Sequence, residues 1–491
     1  MIYLFDFDLL GLLPEVFMLV TTCILLGYGV WYEKGQEREM TNHQLWCGVV
    51  ACVLTLSLLL QSPITHLIVC YQTLILDGFG LFVKGLIVCS TLGVFLLSFS
   101  YLRQENLKAF EFIILVLLAC SSMMLMASSY DFISLYLSLE FQSLSFYVLA
   151  AMKRESDYST EAGLKYFVLG AIASGLYLFG ASLIYGLTGT TNFEDLSLLF
   201  TGLGGGDLWI HASLLVGIIF VSVAFFFKLA AAPFHMWAPD VYEGAPTVVT
   251  AFFSIAPKLA ISAVLIRLFY ICFFDFLFSW QAIFFAVSLI SMTVGALGAM
   301  SQTKIKRLLA YSSIGHVGYI LIGFCCGSLE GVQAVFLYLL VYLFMTLGSF
   351  GIVLSLRSSK AKAVYLSDLK NLSSTNPLLA LTFSTLLFSM AGIPPLAGFL
   401  SKFYLFFAAM NSSLYSLAVV GVLTSALSCF YYIRLVKVMY FEKGEGPAVV
   451  YEQIDREKAI LLGICFFMIL LLFVYPSPVF LLSHAAALSF C

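Results

Sequence analysis

The sequence predicts an all-α polytopic membrane protein of about fourteen transmembrane helices, and three observations predict it. Apolar runs of roughly 20 residues, the length that crosses a bilayer as a helix, recur along the whole 491-residue chain. Hydrophobic residues make up 62% of it and charged residues only 10%, where a soluble domain carries about 25% charged residues. Mean hydropathy is +1.02. The charges that are present collect in alternate loops, as they do when a chain threads back and forth through a bilayer.

Spans 1–3 are predicted at 9–31, 45–61 and 79–101, within an N-terminal part, 1–108. The opening Met1-Ile-Tyr-Leu-Phe-Asp-Phe-Asp has no basic segment and no small-residue cleavage site before the first apolar run. It is therefore expected to insert as it stands rather than act as a cleavable signal. Spans 4–8 follow at 109–128, 131–151, 162–189, 208–236 and 247–270, and spans 9–13 at 277–300, 306–326, 331–356, 377–408 and 412–440. Span 14 is expected at 459–480, with the tail completing 459–491. Short loops leave one membrane domain, 1–491. Spans 4–8 (109–270) and 9–13 (277–440) are expected to be two five-helix repeats, inverted because five is odd.

Two spans read as broken. Span 7 holds Pro233 five residues after Lys228, and span 12 holds Gly392-Ile-Pro-Pro395 seven residues before Lys402. Proline removes a backbone donor and frees a carbonyl, which protein or water must satisfy at membrane depth. Broken helices in inverted repeats are one way to build an ion site at the midplane. Nineteen of the 24 Lys and Arg residues, among them Lys34, Arg38, Lys108, Lys153, Lys304, Arg357, Lys360, Lys362 and Lys443, fall in alternate loops or at the adjoining helix ends. The positive-inside rule then puts both termini on the outer side, which in a mitochondrion is the intermembrane space.

Composition excludes several classes. The twelve cysteines form no Cys-x-x-Cys pair, and the closest two are Cys325-Cys326. That argues against zinc or iron–sulfur ligation, so no metal site is expected. Gly202-Leu-Gly-Gly-Gly206 is not followed by Lys-Ser/Thr, so no nucleotide or other cofactor is expected on this chain. No basic surface run suggests nucleic acid.

Four charges stand deep inside apolar spans: Glu140, Lys228, Lys258 and Lys402. Each costs roughly 2.5–3.5 kcal/mol at the bilayer centre on insertion scales. The bland reading is structural ion pairs that fix helix packing. The functional reading is a hydrated proton path, because a buried lysine gives up its proton readily and a nearby carboxylate tunes it. His235 and His316 are candidate relays, since imidazole titrates near neutral pH. Either could equally be a hydrogen-bonded core residue. His43, His66, His211 and His484 are expected in loops or at the interface. Glu15, Asp77, Asp275 and Glu330, near span ends, are expected to be solvated or interfacial.

These residues also carry a family resemblance. Lys228-Leu-Ala-Ala-Ala-Pro-Phe-His-Met-Trp-Ala-Pro-Asp-Val-Tyr-Glu-Gly-Ala-Pro-Thr, Lys304-Ile-Lys-Arg-Leu-Leu-Ala-Tyr-Ser-Ser-Ile-Gly-His316 and Ala391-Gly-Ile-Pro-Pro-Leu-Ala-Gly-Phe-Leu-Ser-Lys402 resemble motifs of the antiporter-like membrane subunits of respiratory complex I. With Glu140 they cover spans 5–12. The chain is similar to the N-type branch, which stops after span 14 and has a lysine in span 12. Ser159-Thr-Glu-Ala-Gly-Leu-Lys-Tyr-Phe-Val-Leu-Gly-Ala is similar to mitochondrial, plant- or alga-like members. Val248 departs from the pattern, which usually has proline there.

The resemblance implies a proton-translocating subunit of NADH:ubiquinone oxidoreductase. NADH, flavin, iron–sulfur clusters and ubiquinone would be handled by other subunits. A neighbouring antiporter-like subunit and membrane lipids would be the partners. Glu140 and Lys228 would form a coupling pair, Lys258 the central relay, and Lys402 the terminal lysine. An independent cation/proton antiporter and a scaffold of the membrane arm are the alternatives.

Overall fold

The computed structural model describes residues 8, 10–32, 37–62, 67–105, 107, 109–202, 208–357, 364–442 and 451–489. The start of the chain, Lys34, Lys108, Lys360, Lys362, Lys443, His66 and most of the glycine loop after Gly202 lie outside them, as does the side chain of Arg38. Among the described residues, thirteen helices are long and apolar enough to cross a bilayer. A fourteenth crossing is shared by Pro377–Ala391 and Ala397–Asn411. Each of these is about 22 Å long at 1.5 Å per residue, too short to cross alone.

The N-terminal part comprises α1 (Leu13–Tyr32), α2 (Glu37–Gln61), a hairpin of β1 (Leu67–Val69) and β2 (Leu74–Leu76), and α3 (Gly78–Gln104). Next come α4 (Ala109–Ser128), α5 (Phe132–Ala150), α6 (Asp157–Thr188), the short α7 (Phe193–Gly202), α8 (Leu208–Leu229), α9 (Trp237–Gly244) and α10 (Thr247–Arg267). The corresponding later series is α11 (Leu277–Met300), α12 (Ile305–Cys325), α13 (Leu329–Ser355), the single turn α14 (Leu372–Thr375), α15 (Pro377–Ala391), α16 (Ala397–Asn411) and α17 (Tyr415–Tyr440). The chain closes with α18 (Arg456–Val474) and α19 (Ser477–Leu488).

Burial is uneven. Every residue of α10 is buried, and α12 and α13 nearly so. An apolar helix buried all round is a core element, and these three make the centre of the molecule. By contrast α1, α6 and α18 expose broad apolar faces.

Ion pairs confirm the alternation of loops. Glu105, after α3, receives Lys153 at 2.9 Å from the α5–α6 loop and Arg357 at 2.7 Å from the end of α13. Gln104 reaches Glu452 before α18, and Glu243 on α9 pairs with Lys304 and Arg307. Loops separated by an even number of crossings therefore share one face. The other face joins the hairpin to Ser129, and Asp131 to Asn192.

Three expectations need correction. Span 14 ends at Val474 rather than 480, because Tyr475-Pro476 breaks it and a new helix starts at Ser477. The short α7, in the loop between spans 6 and 7, was not expected. Glu15 and Asp77 are not solvated: they are 1% and 4% exposed. Glu15 pairs with Lys84 on α3 at 2.5 Å, and Asp77 with Arg267 at 3.1 Å. Sequence distance from a span end misjudged both, because it does not show the cation that a distant helix supplies. Glu330 and Asp275 are exposed as expected.

Candidate functional site

Lys258 lies in the middle of the fully buried α10, directly after Pro257. The missing proline donor leaves the Phe253 carbonyl, one turn back, without its helical partner, and the Tyr242 hydroxyl donates to it at 3.2 Å. The Lys258 ammonium leaves its helix for two acceptors, the Tyr342 hydroxyl on α13 at 3.0 Å and the Ser313 carbonyl on α12 at 3.3 Å. Tyr342 in turn donates to the Ser254 carbonyl at 3.2 Å. Its ring also lies 5.2 Å from the ammonium and 5.3 Å from the ring of His316.

His316 is buried on α12 with both ring nitrogens engaged. Nδ1 meets the Tyr338 hydroxyl at 2.6 Å and Nε2 the Tyr432 hydroxyl at 3.3 Å. Neutral imidazole has one donor and one acceptor nitrogen, so the two tyrosines must play opposite roles. Tyr432 also bonds Ser312.

Lys402 sits on the second half-helix of the broken span. The first half, α15, ends at Gly392 in the left-handed region, φ 87°. The Gly392 and Ile393 amides fold back on the Phe388 carbonyl at 3.0 and 3.1 Å. That leaves the Met390 and Ala391 carbonyls, and Lys402 donates to them at 3.0 and 2.9 Å. A cation on a helix C-terminus is favourable, because the dipole places partial negative charge there. Gly398 lets α16 approach closely enough for this, since any Cβ there would collide with the Ser389 backbone. Lys402 also stands 4.9 Å from the ring centre of Tyr319. His316, Tyr319, Lys402, Ser428 and Tyr432 all line one small cavity of about 10 Å³, room for about one water.

The first break has the same logic in a different order. Lys228 lies in the last turn of α8, so it too stands near a helix C-terminus, though of a helix long enough to cross by itself. Ala230 takes φ 60°, its amide returns to Phe227, and the Ala231 amide returns to Phe226. Ser291 on α11 accepts the Ala232 amide at 2.9 Å, and the Trp237 indole donates to the Phe227 carbonyl at 2.8 Å. The Lys228 ammonium is buried and has no hydrogen-bond partner among the described residues. Glu140 on α5 shares a cavity of about 10 Å³ with it, along with Tyr136, Ser174 and Tyr177. One Glu140 oxygen accepts from Ser143 at 3.2 Å and the other is unpartnered.

The six candidates thus fall into groups. Lys258 and His316 both meet Tyr342, His316 and Lys402 line one cavity, and Glu140 and Lys228 share a second. Among the described residues no hydrogen bond joins the two. His235, buried just past the break, has no partner on Nδ1 and no bond to either lysine. Sequence reading missed Tyr338, Tyr342 and Tyr432, which hold the network together; tyrosine in an apolar span carries no signal of its own. No group of His, Cys, Asp and Glu that could hold a metal occurs among the described residues. Lys258 thus rests on one hydroxyl and one carbonyl, and Lys402 on two carbonyls, with no carboxylate bonded to either ammonium among the described residues.

A polytopic helical membrane protein with two broken spans and a buried lysine in each defines a class. The NADH:quinone oxidoreductase/Mrp antiporter transmembrane family matches residues 129–428, and the chain belongs to that family. It is 50% identical to NADH-ubiquinone oxidoreductase chain 2 of Marchantia polymorpha over 99% of this chain and all of that one. It is 48% identical to the Arabidopsis thaliana protein of the same description, over 98% and 96%. A chain of respiratory complex I from Thermus thermophilus with bound aureothin superposes with a TM-score of 0.79 at 28% identity, over 95% of this chain and 98% of that one. A chain of the Mrp complex from Dietzia sp. shares the fold, with a TM-score of 0.81 at 22% identity over 97% of each.

Proposed function

We propose that this chain is a proton-translocating membrane-arm subunit of NADH:ubiquinone oxidoreductase, multi-pass in the mitochondrial inner membrane. The observation that carries the reading is the run Lys258–Tyr342, His316–Tyr432 and Lys402 on the α15 carbonyls, built inside a chain half identical to chain 2 of that enzyme. Buried ammonium groups are costly, and structural pairs elsewhere in this chain use carboxylates instead: Glu15 for Lys84 and Asp77 for Arg267. Lys258 and Lys402 have only neutral acceptors, which suits groups that exchange a proton.

Glu140 governs the charge of Lys228 across their shared cavity. Lys258 relays through the tyrosine–histidine cluster, and Lys402 passes the charge on toward a neighbouring antiporter-like subunit. His235 is a candidate relay at the first break. NADH, flavin, iron–sulfur clusters and ubiquinone belong to the remaining subunits of the assembly. Residues 109–270 and 277–440 form the two inverted repeats, each with one buried lysine beside a helix break. The basic-loop face is directed to the matrix and both termini to the intermembrane space.

Affinity purification of a tagged chain tests the assignment. NADH oxidation and quinone reduction should co-purify with it. Isolation as a free cation/proton antiporter without redox activity would overturn it. Protection of both terminal tags from protease added on the matrix side tests the orientation.

A further inference from the structure

One cavity lies away from the lysine network, on the face that gathers the basic loops. It measures about 460 Å³, within the size range of small-ligand sites. Four cationic side chains from three segments line it, Lys153, Lys304 with Lys306, and Arg357, against two carboxylates, Glu105 and Glu243. Each carboxylate is shared. Glu105, only 4% exposed, serves both Lys153 and Arg357, and Glu243 serves Lys304 and also Arg307 from outside the cleft. Contact with Glu243 holds the Lys304 ammonium above its usual range, and so charged. The lining therefore carries two more positive than negative charges, and its cations keep spare donors.

The lining also has an apolar part, Val353, Leu354 and Leu356 at the end of α13. Tyr158 and Tyr365 stand at the rim, 71% and 49% exposed. Tyrosine with its ring in acyl chains and its hydroxyl in water is characteristic of the membrane interface. A net-positive lining that also carries apolar residues, at the ends of spanning helices, matches a phosphodiester headgroup with its glycerol and first methylenes. Basic pockets between transmembrane helices on the positive-inside face bind such headgroups.

We propose that this cleft is a binding site for the headgroup of an anionic glycerophospholipid, which ties the α3, α5–α6, α11–α12 and α13 ends together. The test uses the assembled complex, purified in detergent and washed free of loosely bound lipid. A photoreactive phosphatidylglycerol is added and cross-linked, with unlabelled phosphatidylglycerol, phosphatidylcholine or inorganic phosphate as competitor. Cross-links are expected on peptides carrying Tyr158 or Tyr365, displaced by phosphatidylglycerol alone. Lys306→Gln combined with Arg357→Gln should weaken labelling roughly 25-fold, about fivefold for each charge removed near a membrane surface. Lys437→Gln, on the same face but outside the cleft, should leave it unchanged.

Equal displacement by phosphatidylcholine would mean ordinary lipid solvation, and displacement by inorganic phosphate would mean a free-anion site. Either result overturns the proposal, as does cross-linking confined to other peptides or labelling that survives the double substitution. Should the double variant fail to assemble, the competition series on the unmodified complex decides alone.

Discussion

Tyr342→Phe removes one oxygen from the centre of the molecule and leaves everything else in place. The ring keeps its position 5.2 Å from the Lys258 ammonium and its packing against His316. Lys258 loses its 3.0 Å hydroxyl acceptor and retains only the Ser313 carbonyl at 3.3 Å. A hydrogen bond to a charged group contributes about 1.5–3 kcal/mol, which is a factor of roughly 10–150 in how often the charged lysine is populated. The Ser254 carbonyl also loses the tyrosine donor but keeps its place in the α10 ladder, so folding should be little affected. Loading a proton on Lys258 then needs a higher proton concentration. The expected result is a normally assembled complex whose protons pumped per NADH fall most at alkaline pH and recover toward acid. Dye-monitored proton uptake into vesicles, run beside NADH oxidation from pH 6 to 9, measures this. Unchanged pumping across that range would refute a role for Lys258 as a relay held by Tyr342. A uniform loss of assembled complex would instead mark Tyr342 as structural.

Two further outcomes follow from the geometry. Gly398→Ala changes no charge but drives α16 off the Ser389 backbone; it should cost about 1–3 kcal/mol of stability by overpacking and impair pumping by moving Lys402 away from the α15 carbonyls, read as a lower inactivation temperature with a lower proton yield. Arg267→Met leaves the Asp77 carboxylate buried without its cation and should destabilise by about 3–5 kcal/mol, seen on native gels as loss of assembled complex, while Arg267→Met with Asp77→Asn should recover much of it.

Most of the threading was legible in the sequence, because spans announce themselves by length and charged loops by composition. The two breaks were legible too, since Pro233 and Pro394-Pro395 cannot continue a ladder. What stayed hidden depended on contacts between distant segments. Glu15 and Asp77 read as solvated or interfacial, whereas Lys84 and Arg267 bury them in ion pairs. Nor does residue spacing tell that Lys228 stands at the end of its own helix while Lys402 reaches back 11 and 12 residues to the end of the preceding half-helix. The tyrosines around His316 were invisible, because nothing in an apolar span distinguishes a packing tyrosine from one whose hydroxyl is used. The end of span 14 was misplaced because an apolar run continues past Tyr475-Pro476.

The account rests on Glu140 controlling the proton on Lys228, and three variants of the assembled complex test it. Glu140→Gln keeps shape and removes charge, Lys228→Met removes the ammonium, and the third carries both. Groups that act as one unit are not additive. Proton pumping should therefore fall sharply in each single variant, with assembly on native gels intact, and the double should be little worse than either. A purely structural pair predicts lost assembly in the singles and recovery in the double. Normal assembly with full proton pumping in Glu140→Gln would contradict the account outright.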